Sequence, residues 1–120
     1  MTNNFSVEVL ENQCEISKKY PIISIKGEID VHNCPKITDT FNEMIKEGKN
    51  TFVLNLKETS YIDSTGLGTI AKAAQKSEPN KGEIMIVYAQ DHVKKLFEIS
   101  GLSKKNITLF ENEKELLNQD

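Results

Sequence analysis

Two rhythms of hydrophobic positions alternate along the chain, one of period two and one of helical spacing, and the changes fall at turn residues. Phe5 to Leu10 alternates loosely as a first strand, and Ile16 to Lys19 is expected to continue it as a hairpin arm. Between Pro21 and Ile29, Ile23, Ile25 and Ile29 fall on one side and Ser24, Lys26 and Glu28 on the other, which predicts a half-buried strand. From Asn33 the period lengthens. Pro35 suits a first helical turn, Ile37, Phe41, Met44 and Ile45 recur at helical spacing, and Gly48 supplies a stop. Phe52 to Leu56 is a nearly continuous apolar run, as expected of a central strand covered on both faces or paired in parallel. Strand, helix and strand in that order imply a right-handed crossover.

A second helix follows the segment Tyr61-Ile62-Asp63-Ser64-Thr65-Gly66-Leu67-Gly68, with Leu67, Ile70, Ala71 and Ala74 on one face and Pro79 and Gly82 closing it. Glu83 to Ala89 reads as a third buried strand. Asp91 is the expected N-cap of a helix that buries Val93, Leu96 and Phe97 and stops at Gly101. Ile107 to Phe110 reads as a closing strand, and Glu111 to Asn118 as a charged terminal helix docked through Leu116 and Leu117. Strands alternating with helices predict an α/β domain: a mixed, mostly parallel sheet of four to five strands with about four helices. Without an internal repeat or a linker, residues 1–120 read as one domain.

Composition narrows the function. With 120 residues, 38% of them hydrophobic, the chain can bury one modest core without metal or disulfides, and two catalytic lobes are not expected. Its formal charge is −3, and the pairs Lys94-Lys95 and Lys104-Lys105 are too short to form the basic stripe that phosphate backbones require, so nucleic acid is not an expected partner. The stretch from Met1 to Phe5 has no leader pattern, and no run approaches the roughly 18 apolar residues of a membrane span. A cytoplasmic protein with no membrane contact is therefore expected. Cys14 and Cys34 lack metal-ligand or redox spacing and read as free thiols, and neither a metal nor a cofactor is expected.

One segment combines turn chemistry, a hydroxyl nucleophile and adjacent glycines: Asp63-Ser64-Thr65-Gly66-Leu67-Gly68, at a strand-to-helix junction. A serine in a first helical turn lies near unpaired backbone N–H groups, and the helix dipole there favours an added phosphate. Gly66 and Gly68 bare the backbone for another protein's loop and would also let the helix pack closely on the sheet. Two plainer readings stand beside this one. Ser64 can be the helix N-cap, and Gly66-Leu67-Gly68-Thr69-Ile70-Ala71 also fits the dinucleotide pattern G-x-G-x-x-A, which would make the chain a small nucleotide-binding protein or enzyme. Nucleophilic catalysis by Ser64 lacks a base, since no spacing joins His32 or His92 to it. A phosphoacceptor role for Asp63 lacks the acidic pair and the lysine it requires.

The octet Tyr61 to Gly68 resembles the phosphorylation segment of the bacterial anti-sigma factor antagonists, the founding group of STAS domains. Gly27-Glu28-Ile29-Asp30 with Pro35 is similar to that family's second strand and helix entry, and Val93 through Gly101-Leu102 with Ile107-Thr108 to its penultimate helix and closing strand. The resemblance runs from Ile22 to Leu117 and implies a STAS-like fold and a regulatory binding protein, not an enzyme. It implies that Ser64 is the phosphoacceptor, with Thr65 a second hydroxyl, and that Asp30, Asp63, Thr65, Gly66, Leu67 and Gly68 form the docking surface. The implied partners are a serine-kinase anti-sigma factor, bound by the unphosphorylated form so that a sigma factor is released, and a metal-dependent serine phosphatase that reverses the modification. Cys34 departs from the family, where small residues such as Ala are usual. General-stress and sporulation antagonists, and scaffold or adaptor STAS subunits, share these features.

Overall fold

The structure, a computed structural model, describes residues 5–102 and 106–118. Lys104-Lys105 and the segment Met1 to Asn4 lie outside the described residues. In chain order the elements are β1 (Ser6–Leu10), α1 (Glu15–Lys19), β2 (Ile22–Ile29), α2 (Cys34–Lys46), β3 (Phe52–Asn55), β4 (Thr59–Ile62), α3 (Ser64–Ser77), β5 (Ile84–Val87), α4 (Asp91–Ser100), β6 (Ile107–Phe110) and α5 (Glu113–Leu117). A 3-10 turn over Glu78–Asn80 prolongs α3. The Cα radius of gyration is 13.2 Å, close to the roughly 13.6 Å expected of one compact domain of this length.

The six strands form one mixed sheet in the order β1-β2-β3-β5-β6, with β4 beside β2 off that path. Only the β1–β2 pairing is antiparallel among them. Both faces are covered, which explains the continuous apolar runs. Phe52 and Leu54 of β3, with Ile84 and Ile86 of β5, bury against α2, α3 and α4 through Ile37, Phe41, Ile70, Ala74, Val93 and Phe97. The alternate residues Val53, Met85 and Val87 bury against Ile16 of α1 and Leu116 of α5 on the opposite face. The rings of Phe41 and Phe52 stack at 5.3 Å, fastening α2 to the sheet centre.

The mixed, mostly parallel α/β sheet is as expected; two local expectations are corrected and two element counts are refined. The expected hairpin arm from Ile16 to Lys19 is instead the one-turn helix α1. The Ser17 hydroxyl accepts from the Gln13 and Cys14 amides at 2.8 and 2.7 Å and closes the turn, while Ile16 fills the second core. Second, the strand leading into the Ser64 segment proves to be a separate strand, β4, so the sheet has six strands where four to five were expected. Third, there are five α-helices among the described residues where about four were expected, α1 being the addition. Fourth, Gln90 is the cap position of α4, and Asp91 is its first helical residue, where its charge still suits the helix dipole. Gly101, at φ 77°, ends that helix in the left-handed conformation as expected.

Strand β2 bonds β3 through Ile22 to Ser24 and β4 through Gly27 to Ile29. Gly27, at φ 99°, sits where the pairing changes, and only glycine holds that conformation without strain. Thr59 is fully buried, and its hydroxyl donates to the Ile25 carbonyl at 2.7 Å, bridging the gap between the two ladders. Replacing Thr59 by Val keeps the shape and orphans that carbonyl. Chemical denaturation should show a loss of about 1–3 kcal/mol, and an unchanged midpoint would refute the bridging role.

Candidate functional site

The site is built at the carboxyl ends of β2 and β4. Ile29 and Ile62 are register partners in the parallel ladder, and the Asp63 amide donates to the Ile29 carbonyl at 3.1 Å. Asp30 and Asp63 each follow one member of that pair, so the two carboxylates share one end of the sheet. The side chain of Asp30 accepts from the amides of His32 and Asn33, both at 3.0 Å, and its carbonyl accepts from Cys34 at 2.9 Å. It therefore shapes the turn that launches α2. Asn33 completes the turn by donating to the Glu28 carbonyl at 2.8 Å.

Asp63 caps α3: its carboxylate accepts from the Gly66 amide at 2.8 Å and its carbonyl from Leu67 at 3.0 Å. The reading of Ser64 as N-cap is thereby corrected. Ser64 is the first helical residue. Its side chain is exposed and forms no intramolecular hydrogen bond among the described residues. The first amides of α3 have no helical partner, so the hydroxyl stands at the positive end of a helix with a carboxylate beside it.

The other expected site residues divide. Thr65 is exposed, Leu67 half-buried and Gly68 exposed. Gly66 is turned inward: a Cβ there would lie 2.6 Å from Ile29 Cγ2, 2.7 Å from the Ile29 carbonyl oxygen and 2.7 Å from Ile62 Cγ1. Its missing side chain serves helix-to-sheet packing, so Gly66 offers no face to a docking partner. At Gly68 a Cβ would meet nothing within 4 Å. That leaves an open patch of backbone one turn along the helix from Ser64.

Neither histidine reaches Ser64. His92 Nε2 donates to the Ser60 carbonyl at 2.6 Å, a group left free because Ser60 is the bulged residue between the Gly27–Thr59 and Glu28–Tyr61 pairs. His32 is exposed in the Asp30 turn. The dinucleotide reading of Gly66 to Ala71 meets a physical obstacle, because the Asp63 carboxylate occupies the helix N-terminus where a pyrophosphate would sit.

Two apolar residues next to the motif in the chain are exposed, Val31 at 57% and Tyr61 at 47%; Tyr61 opens the octet but was not read as a site residue, and Val31 was not singled out. Val31 lies in a turn where no core position calls for it, which is the signal that could have marked it. Cys34 also belongs to this end. Burial pushes its thiol above the ordinary value; a hydrogen bond with the Thr69 side chain opposes the rise, and Asp63 and Asp30 add to it. Cys34, the first residue of α2, thus feels the charge of both carboxylates and reaches Thr69 of α3. Among the described residues no group of three His, Cys, Asp or Glu is placed to hold a metal ion, and no helix is long and apolar enough to cross a membrane.

A family profile for the STAS domain matches residues 11–116. The anti-sigma-B factor antagonist of Listeria monocytogenes is 34% identical over 101 residues, spanning 83% of this chain and 84% of that protein. Its namesake in Staphylococcus aureus is 33% identical over 84 residues, spanning 70% of this chain and 78% of that protein. The solved structure of the anti-sigma factor antagonist SpoIIAA in its unphosphorylated form superposes with a TM-score of 0.72 at 23% identity, covering 96% of this chain and 94% of that one. The phosphorylated form of the Bacillus SpoIIAA gives 0.67 at 22% identity, with 96% and 97% covered. At these identities the structural likeness is one of fold.

Two outcomes test the site geometry. Gly66→Ala should cost about 1–3 kcal/mol through overpacking, whereas Gly68→Ala should stabilise α3 by about 0.5–1 kcal/mol; urea titration compares them, and equal effects would contradict the inward placement of Gly66. For the thiols, hydrogen bonds from Ser17 lower Cys14 while burial raises Cys34. Iodoacetamide near pH 8 should therefore alkylate Cys14 well before Cys34. Because the folded Cys34 holds its proton longer than the unfolded one, its contribution to stability is complete below the ordinary thiol range and is lost as pH rises from there through its raised folded value.

Proposed function

The chain belongs to the STAS domain family, and we propose that it acts as a phosphorylation-controlled anti-sigma factor antagonist in the cytoplasm. One observation carries the reading: Ser64 stands exposed and uncommitted in the first turn of α3, beside the capping Asp63 and near Asp30. In this reading the unphosphorylated protein binds a serine-kinase anti-sigma factor and releases the sigma factor. The kinase then phosphorylates Ser64 with ATP, and a metal-dependent serine phosphatase restores it. The chain itself is a binding domain and not an enzyme. Asp30, Asp63, Thr65, Leu67 and Gly68, with the exposed Val31 and Tyr61, form the docking surface.

The electrostatics support a switch of this kind. A phosphate on Ser64 adds about −1.5 to −2 charges at neutral pH, beside carboxylates already present. The docking partner is a kinase site that holds nucleotide phosphates of its own, so the added charge meets like charge on both sides. Truncated or reversed charge contacts at an interface cost about 2–5 kcal/mol, or about thirtyfold to a few thousandfold in affinity. The helix dipole meanwhile favours the modified protein itself, so the fold survives while the partner leaves.

Incubation with the kinase and ATP should add one phosphate by intact mass, and Ser64→Ala should abolish the gain. Ser64→Ala should still bind the kinase in a titration, while Ser64→Glu should bind at least about thirtyfold more weakly. Equal affinities would refute the electrostatic account. Stoichiometric nucleotide binding by the isolated protein, without modification, would favour the small nucleotide-binding reading instead.

A further inference from the structure

Helices α2 and α3 lie side by side, and a shallow groove of about 250 Å³ runs between them on the outer surface. Each helix follows a parallel strand, so both begin at the Ser64 end of the sheet. Thr38, Asn42, Thr65, Thr69, Lys72 and Lys76 line the groove, over a floor that includes buried Phe41. From Thr65 to Lys76 is eleven helical steps, a length of about 16 Å. The missing side chain at Gly68 keeps the groove open near its mouth.

The charge of this groove runs against that of the molecule. The chain carries 18 acidic and 15 basic residues, yet the charged residues lining this groove are Lys72 and Lys76, with no carboxylate among them. Among the described residues neither lysine is ion-paired; Lys76 donates to Asn42 Oδ1 at 3.1 Å. The two lysines are one helical turn apart, about 6 Å. In an extended chain, side chains two residues apart project to the same side at about 6.6 Å. The threonines and Asn42 add polar groups along the remaining length. An elongated groove of this kind, whose one aromatic ring is buried in its floor, suits a backbone with regularly spaced carboxylates better than a nucleotide.

We propose that the α2/α3 groove receives an extended acidic segment of the anti-sigma partner, with carboxylates at alternate positions pairing with Lys72 and Lys76. The proposal rests on the reading of Ser64 given above, since it supplies a second grip for the same partner beside the serine. About five extended residues fill the groove. Phosphorylation then breaks one of two contacts.

The test has two arms. In the first, ¹⁵N-labelled protein is titrated with the peptide acetyl-Glu-Ser-Glu-Ser-Glu-amide and, in parallel, with its Lys-for-Glu counterpart. The acidic peptide should shift the backbone amides of Thr38, Thr65, Gly68, Thr69 and Lys72, the basic one should not, and Lys72→Glu/Lys76→Glu should abolish the shifts. In the second arm, the double variant, with an unchanged thermal melt, should bind the serine-kinase anti-sigma factor at least about tenfold more weakly than wild type. The loss should shrink as salt is raised. Peptide shifts elsewhere or absent, or wild-type affinity of the variant for the kinase, would overturn the proposal. A dimer of the free chain that dissociates in the double variant would assign the groove to a second copy and overturn it as well. Failure of the kinase to modify wild-type Ser64 would instead count against the function proposed above, and the peptide arm would still decide the groove.

Discussion

Strand β2 has one edge to divide between two parallel neighbours, and that division decides where the candidate site lies. Its first residues pair with β3 and its last with β4, with Gly27 at the change and the Thr59 hydroxyl closing the gap on Ile25. If β3 ran the full length of β2, the ladder at Ile29 would be taken and Asp63 could not donate to the Ile29 carbonyl. Because β3 stops early, β4 can enter beside β2 and stop level with it. The turn after β2 and the helix after β4 then begin together. Asp30 and Ser64 lie far apart in the chain, and this split ladder is what makes them neighbours.

Close packing then fixes the orientation of the serine. Gly66 lets α3 approach Ile29 and Ile62 more closely than any side chain would allow, and the Asp63 cap sets the residue at which the helix starts. Ser64 follows the cap directly and, within the first turn, points away from the sheet. The bulge at Ser60 contributes from the other side, since its free carbonyl takes the His92 ring and ties the start of α4 to β4. Packing and capping together hold the hydroxyl outward without using it. A side chain that the fold does not use can change its charge at little cost to the fold.

Much of this was legible in the sequence, and the parts that were not have physical reasons. Long periodic elements such as α2 were plain, because Ile37, Phe41 and Met44 repeat over several turns. Strand β4 was not delimited, since only two of its four residues are buried and its place depends on which half of β2 it joins. Helix α1 is a single turn held by Ser17, too short for any period to show. The cap was ambiguous because Asp and Ser are nearly equal as caps, and the local bond to Gly66 decided it. The two glycines looked alike, yet Gly66 stands four residues before Ile70 on the buried face, whereas Gly68 does not. Val31 and Tyr61 carried no periodic signal and emerged only through their exposure.

The same cap bears on the two chemical readings of this turn. A loop built to bind a dinucleotide leaves its first helical amides open for phosphate, and its glycines bring backbone to ligand. Here Asp63 already takes the Gly66 amide, and Gly66 brings backbone to the sheet. A free nucleotide would have to displace or neutralise that carboxylate before it could use the helix end. A phosphate attached to Ser64 faces no such competition, because its covalent bond holds it outside the cap, where the dipole still acts and the surface is open. The arrangement therefore penalises a diffusing phosphate and tolerates a tethered one, and that asymmetry separates a modified binding domain from a nucleotide pocket built on nearly the same residues.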